Sequence, residues 1–197
     1  MMRRIDALEV LAPRLRNNPV VVTCAATSRE LAHVQDSDNH LYLLDSMGLV
    51  GSVAAGLALA LGDGGEKVIA IEGDGSLLMN PNVLFTDAAL KPENLVIVLL
   101  DNGVFGSTGN LPTYAGNIDL GAAAEALGHE VRRAQDADTL LAGLEELLSV
   151  DGPSLLHVRT EVGNAEVDKL LVDPVDIKTR FTSWLTGARI EGADDVR

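Results

Sequence analysis

Two short runs combine carboxylate or carboxamide side chains with glycines: Gly73-Asp74-Gly75-Ser76 and Asp101-Asn102-Gly103-Val104-Phe105-Gly106. Carboxylate, amide and backbone oxygens are the donors a hard divalent cation prefers. A magnesium ion held by only one or two protein carboxylates keeps positions open for phosphate oxygens. A tight turn draws on the same Gly and Asp residues, so either run alone says little. Both together, each directly after an apolar run, favour a cation and phosphate site.

Those apolar runs are 67–72 and 94–100. Each reads as a strand buried on both faces, the pattern of a parallel sheet. Ligands of open parallel sheets bind at the carboxyl ends of the strands, where both motifs stand. Further strands are expected at 19–23, 41–44, 130–132 and 153–159, and helices at 5–15, 28–34, 48–61, 80–90, 120–127 and 138–148. Thr27 or Ser28 is the expected cap of the second helix and Ser46 of the third. The cluster Gly62-Asp63-Gly64-Gly65 reads as a turn. The alternation implies one α/β domain over 1–197, a doubly wound parallel sheet of about six strands with helices on both faces. A last helix is expected at about 174–187, with Phe181, Trp184 and Leu185 as its apolar stripe, followed by a mobile polar tail.

The 197 residues suffice for a sizeable core, and with 47% hydrophobic but 3% aromatic residues that core must be aliphatic. A formal net charge of -14 argues against nucleic acid, whose phosphates it would repel. The single cysteine, Cys24, excludes an internal disulfide and suits a reducing cytosol. No apolar run is long enough to span a bilayer and no secretory leader is evident, so no membrane is expected. Of four histidines, His40 stands nearest the expected site and His157 lies within a strand.

The paired motifs, separated by roughly two dozen residues, resemble the signature of thiamine-diphosphate-dependent decarboxylases. The doublet is Asp101-Asn102 where many members carry two asparagines. The resemblance implies Mg²⁺ held by Asp74, Asn102 and the backbone carbonyl of Val104, with Gly73, Gly75, Ser76, Phe105 and Gly106 about the diphosphate. Asp45-Ser46-Met47-Gly48 resembles the turn whose bulky residue, here Met47, wedges between the two cofactor rings. The carbonyl of Asp45, often a glycine position in the family, would accept from the pyrimidine's amino group. Thr27 or Ser28 would lie near the diphosphate. Arg29, His40, Ser107, Thr108 and Asn110 are candidates for the substrate.

Ser28-Arg29-Glu30, Ser46 to Leu49, Gly73 to Asn80, Asp101 to Gly109 and Ile177 to Phe181 resemble sulfopyruvate and phosphonopyruvate decarboxylases. The resemblance implies decarboxylation of a small anionic 2-oxo acid to an aldehyde. In that class a Glu from another domain activates the cofactor, and no Glu of this sequence stands in a matching context. A separate pyrimidine-binding α subunit is therefore expected, with self-association of β chains. The alternatives are half of a carboligase or of an oxidoreductase, or an orphan subunit without turnover. One cysteine cannot hold the iron–sulfur clusters common among the oxidoreductases.

Overall fold

The computed structural model describes residues 1–62 and 65–194, with side chains through Gly187. Six strands form one parallel sheet: β1 (Val20–Val22), β2 (His40–Tyr42), β3 (Val68–Gly73), β4 (Leu95–Asp101), β7 (Glu130–Ala134) and β8 (Ser154–Arg159). Their order across the sheet is β2-β1-β3-β4-β8-β7. A short antiparallel pair, β5 (Val104–Phe105) and β6 (Leu111–Pro112), stands apart from it. The helices are α1 (Arg4–Leu11), α2 (Ala26–Val34), α3 (Val50–Leu61), α4 (Asp74–Met79), α5 (Asn82–Leu90), α6 (Leu120–Ala126), α7 (Ala137–Ser149) and α8 (Pro174–Asp194).

Successive strand residues point to opposite faces, and the core divides accordingly. Val20, Val22, Ile69, Ile71, Val96 and Val98 pack with Leu8, Leu11, Leu31, Leu140, Leu144 and Ile177 from α1, α2, α7 and α8. Val21, Val68, Ala70, Leu95, Ile97 and Leu99 pack with α3 to α6 through Val50, Ala54, Leu77, Val83 and Leu120. This is the doubly wound arrangement expected. From β1 the chain winds outward to β2, whereas from β3 it winds the other way to β4. The crevice at that reversal is where such sheets bind ligands.

The strands and most helices lie where expected, within a few residues. Four local features differ. The expected helix at 80–90 is α5, but α4, which begins at Asp74 directly after β3, is a further helix that the sequence did not suggest. Ser46 does not cap α3: Leu49 holds that position, and Ser46 Oγ donates to the Leu44 carbonyl at 3.2 Å. Neither Thr27 nor Ser28 caps α2, which starts after Ala25 and contains both. Finally, α8 runs past Gly187 to Asp194, so only 195–197 of the expected mobile tail, like Asp63 and Gly64 of the expected turn, lie outside the described residues. No described helix is long and apolar enough to cross a membrane.

Candidate active site

The register that pairs Gly73 with Leu100 brings Asp74 beside the Asp101-Asn102 doublet. Asp74 is 2% exposed. Its Oδ2 accepts from Thr113 Oγ1 at 2.6 Å and its Oδ1 from the Asn102 N–H at 3.4 Å. Burial pushes this carboxyl above the usual range; the Thr113 bond pulls it back and the nearby Asp101 pushes it up again. Asn102 Oδ1 accepts from the Val104 N–H at 3.1 Å, which fixes the amide at the start of the loop. Asp101 has other partners: His157 Nε2 and Arg159 Nη1, both 2.7 Å from Oδ2. A histidine and an arginine thus occupy the doublet's unexpected carboxylate. Asp74 is left as the carboxylate for a cation, with an amide oxygen and backbone carbonyls beside it. These donors fit Mg²⁺, which takes hard oxygens. Cys24 lines the same cavity, but burial pushes its thiol up, away from the thiolate a soft metal would require.

One cavity gathers Thr27, Met47, Gly73, Asp74, Gly75, Ser76, Asn102, Val104, Phe105, Gly106 and Ser107. A larger cavity, about 550 Å³, opens among Asp119, Arg133 and Thr139, contains none of the motif residues, and meets the site only through Asp101's partners His157 and Arg159. The absence of a side chain at Gly75 makes room for Phe105, whose ring would lie 2.5 Å from a Cβ there. The Ser76 hydroxyl oxygen accepts from the Gly48 N–H at 2.8 Å and from Thr23 Oγ1 at 3.2 Å. It thereby braces the Met47 turn against α4 and the end of β1. Glu72, just before the motif, is buried beneath that turn and accepts from Gly51 and Gly73 N–H groups. Burial pushes its carboxyl up to about 7, against hydrogen bonds that hold it down.

Asp45 occupies the left-handed region at φ 54°. Asp tolerates that region and Gly enters it freely, which accounts for either residue at this turn. Ser28 lies outside the cavity and donates to the Thr23 carbonyl. Arg29 borders a neighbouring cleft with His33 and Asp168. His40 is buried on β2 among Tyr42 and Asp36, away from the site. Thr108 Oγ1 donates to the Phe105 carbonyl at 3.0 Å and is not among the lining residues.

Residues 22–158 match the family described as thiamine pyrophosphate enzyme, C-terminal TPP binding domain. The chain belongs to the thiamine pyrophosphate enzymes. Among relatives in this family, the sulfopyruvate decarboxylase subunit beta of Methanothermobacter thermautotrophicus is 43% identical, over 95% of this chain and 98% of its own. The phosphonopyruvate decarboxylase of Streptomyces viridochromogenes is 38% identical over 93% of this chain and 46% of its own. The fold is shared with the benzoylformate decarboxylase of Polynucleobacter necessarius, at TM-score 0.71 and 22% identity over 83% of this chain and 34% of that one.

Sequence reasoning missed Arg4, Thr23, Thr113 and Asn164, three of which line the cavity while Thr113 holds Asp74. None stands in a motif; only the fold brings them there. It also missed Ala25, which precedes α2 at φ 65°, ψ -126°. That conformation costs an alanine on the order of 1–3 kcal/mol and a glycine little. Ala25→Gly should raise stability by about 1 kcal/mol, read as a higher denaturation midpoint at unchanged slope. An unchanged or lower midpoint would mean that the surroundings favour alanine after all.

Proposed function

We propose that the chain is the β subunit of a thiamine-diphosphate- and Mg²⁺-dependent decarboxylase. Its substrate is a small 2-oxo acid with a second acid group, of the sulfopyruvate or phosphonopyruvate kind, and its products are CO₂ and an aldehyde. One observation carries the reading. The chain spans 98% of a separately named β subunit but 46% of a phosphonopyruvate decarboxylase, and among the described residues Asp74, the proposed cation ligand, is the only carboxylate lining its cavity. A separate α subunit would supply the acid that meets the pyrimidine.

Asp74, Asn102 and the Val104 carbonyl would hold Mg²⁺. Thr27, Gly73, Gly75, Phe105 and Gly106 would surround the diphosphate. Met47 would wedge between the rings, and the Asp45 carbonyl would face the amino group. Ser107, which lines the cavity, would meet the substrate. Bound thiamine diphosphate supplies a carbon nucleophile and an electron sink. Self-association and a cytosolic setting belong to the same reading. Exposed Met79, Phe85 and Tyr114 offer apolar surface for assembly, and the lone Cys24 is buried and free.

The chain, purified with the subunit that accompanies it, should release CO₂ from sulfopyruvate or phosphonopyruvate only when thiamine diphosphate and Mg²⁺ are both present. An assembly that binds the cofactor and decarboxylates neither acid would shift the reading to a carboligase. Met47→Ala should slow turnover roughly tenfold or more while the fold survives, because misplaced reacting groups lose rate steeply. An unchanged rate at full cofactor occupancy would make Met47 a packing residue only.

A further inference from the structure

We infer that Arg4 is an oxyanion-binding residue of this cavity, donating from its Nη1 to the cofactor's diphosphate or to the second acid group of the substrate. The inference rests on the cofactor reading given above. Arg4 opens α1, far in sequence from every motif, and is 8% exposed, yet it lines the cavity together with Asn102, Gly106 and Asn164. Its guanidinium is fixed from one side. Nε and Nη2 donate to Glu30 Oε2 and Oε1 at 2.9 and 2.6 Å, and Nη2 donates also to Asn164 Oδ1 at 2.8 Å. Glu30, 1% exposed, is held in turn by the Ala165 N–H at 2.9 Å.

All the hydrogen bonds of the guanidinium among the described residues come from Nε and Nη2, which leaves Nη1 without a partner there. A planar guanidinium pinned along one edge presents its remaining donors in a set direction. Asn164 ties the group to the metal loop: its Nδ2 donates to the Gly106 carbonyl at 3.2 Å, and a Cβ at Gly106 would come within 2.8 Å of its Oδ1. Arg4, Glu30, Asn164 and Gly106 therefore form one braced unit at the cavity wall.

Charge decides which side the free donors serve. Arg4 also borders a cleft lined by Arg3, Glu30, Glu161 and Glu166, where three carboxylates outnumber the two guanidinium groups and disfavour an anion. In the cavity an anion would meet Arg4, the first turn of α2 at Ala26 and Thr27, and the Mg²⁺ expected on Asp74. Diphosphate and sulfonate or phosphonate share this chemistry.

The test is Arg4→Lys in the full-length chain assembled with its partner. An ammonium can still neutralise Glu30 but cannot also present the guanidinium's second fixed nitrogen. Calorimetry would titrate Mg²⁺ with thiamine diphosphate and, separately, Mg²⁺ with inorganic diphosphate. Both should weaken on the order of tenfold or more if Arg4 meets the diphosphate. If it meets the substrate, both affinities hold, while KM for sulfopyruvate rises by a similar factor and KM for pyruvate, which lacks the second acid, does not. The double variant Arg4→Gln, Glu30→Gln removes the ion pair as a unit and should repeat the loss. An unshifted ligand-free unfolding temperature in either variant separates loss of a donor from loss of fold. Affinities and KM values within twofold of the parent in the folded variants would overturn the inference and leave Arg4 a brace for Glu30. Failure of the unaltered assembly to bind thiamine diphosphate would instead sink the cofactor reading, with inorganic diphosphate still reporting on Arg4.

Discussion

Asp74→Ala should abolish Mg²⁺-dependent binding of thiamine diphosphate, weakening it on the order of 100-fold or more. The reason lies in the site's charge balance. Two carboxylates stand side by side at the ends of β3 and β4, but Asp101 is occupied by His157 and Arg159. Among the described residues Asp74 has only the Thr113 hydroxyl and a long contact to the Asn102 N–H. A carboxylate whose burial raises its pKa is one that a cation would stabilise. Its removal takes away the charge that draws Mg²⁺ from water, while the neutral amide of Asn102 cannot replace it. Asp74→Asn is the sharper control. The amide oxygen can still accept from Thr113, so the fold is kept, and what is lost is the charge and the long contact from the Asn102 N–H. Calorimetric titration of thiamine diphosphate at fixed Mg²⁺ reads both variants. Parent-like affinity in Asp74→Ala would withdraw the metal assignment for this residue. Little loss of thermal stability is expected in either variant, because the carboxylate is desolvated at a cost.

The contrast between Asp74 and His40 shows how far the sequence could be read. Asp74 was legible because its signal is local: an apolar run, a glycine on each side, and a second such pattern after the next strand. Strand ends in a parallel sheet converge on one edge, so adjacency in the fold followed from position alone. The cavity wall was not legible. Arg4 and Asn164 reach Gly106 across the whole chain, and a helix-opening arginine before an isoleucine looks like any solvated residue. Ala25 gave no sign of its backbone, since alanine is the last residue one assigns to positive φ. The α4 helix was hidden by Gly75 within it and Gly73 before it, since glycine lowers helix propensity. Gly75 is nevertheless tolerated there because the ring of Phe105 packs against its bare Cα. His40 misled for the opposite reason. It stands close in sequence to the Met47 turn, but it belongs to β2, an edge strand whose partners come from α8.

Those partners make His40 the source of a second large effect. Its Nδ1 lies 3.1 Å from the Tyr42 hydroxyl, which donates its one proton to Asp36 Oδ1 at 3.1 Å. The tyrosine oxygen must therefore accept, and Nδ1 carries the hydrogen of a neutral imidazole. Arg180 donates twice to Asp36, at 2.8 and 2.7 Å. Burial lowers the His40 pKa from 6.5 to about 4; Asp36 opposes the shift and Arg180 adds to it. The sign follows from linkage. Between pH 6.5 and about 4 the unfolded chain binds a proton at His40 that the folded chain refuses. This group's contribution is therefore full above pH 6.5 and is lost as pH falls towards 4, by as much as about 3 kcal/mol. His40→Gln keeps a donor for Tyr42 and removes the titration. Urea unfolding at a series of pH values should show the parent losing stability through this window more steeply than the variant. Parallel profiles would mean that His40 stays accessible to protons in the folded state. The same variant should decarboxylate normally at neutral pH, because its ring lies in the α8 network and not in the cavity. A selective rise in KM would return it to the list of substrate residues.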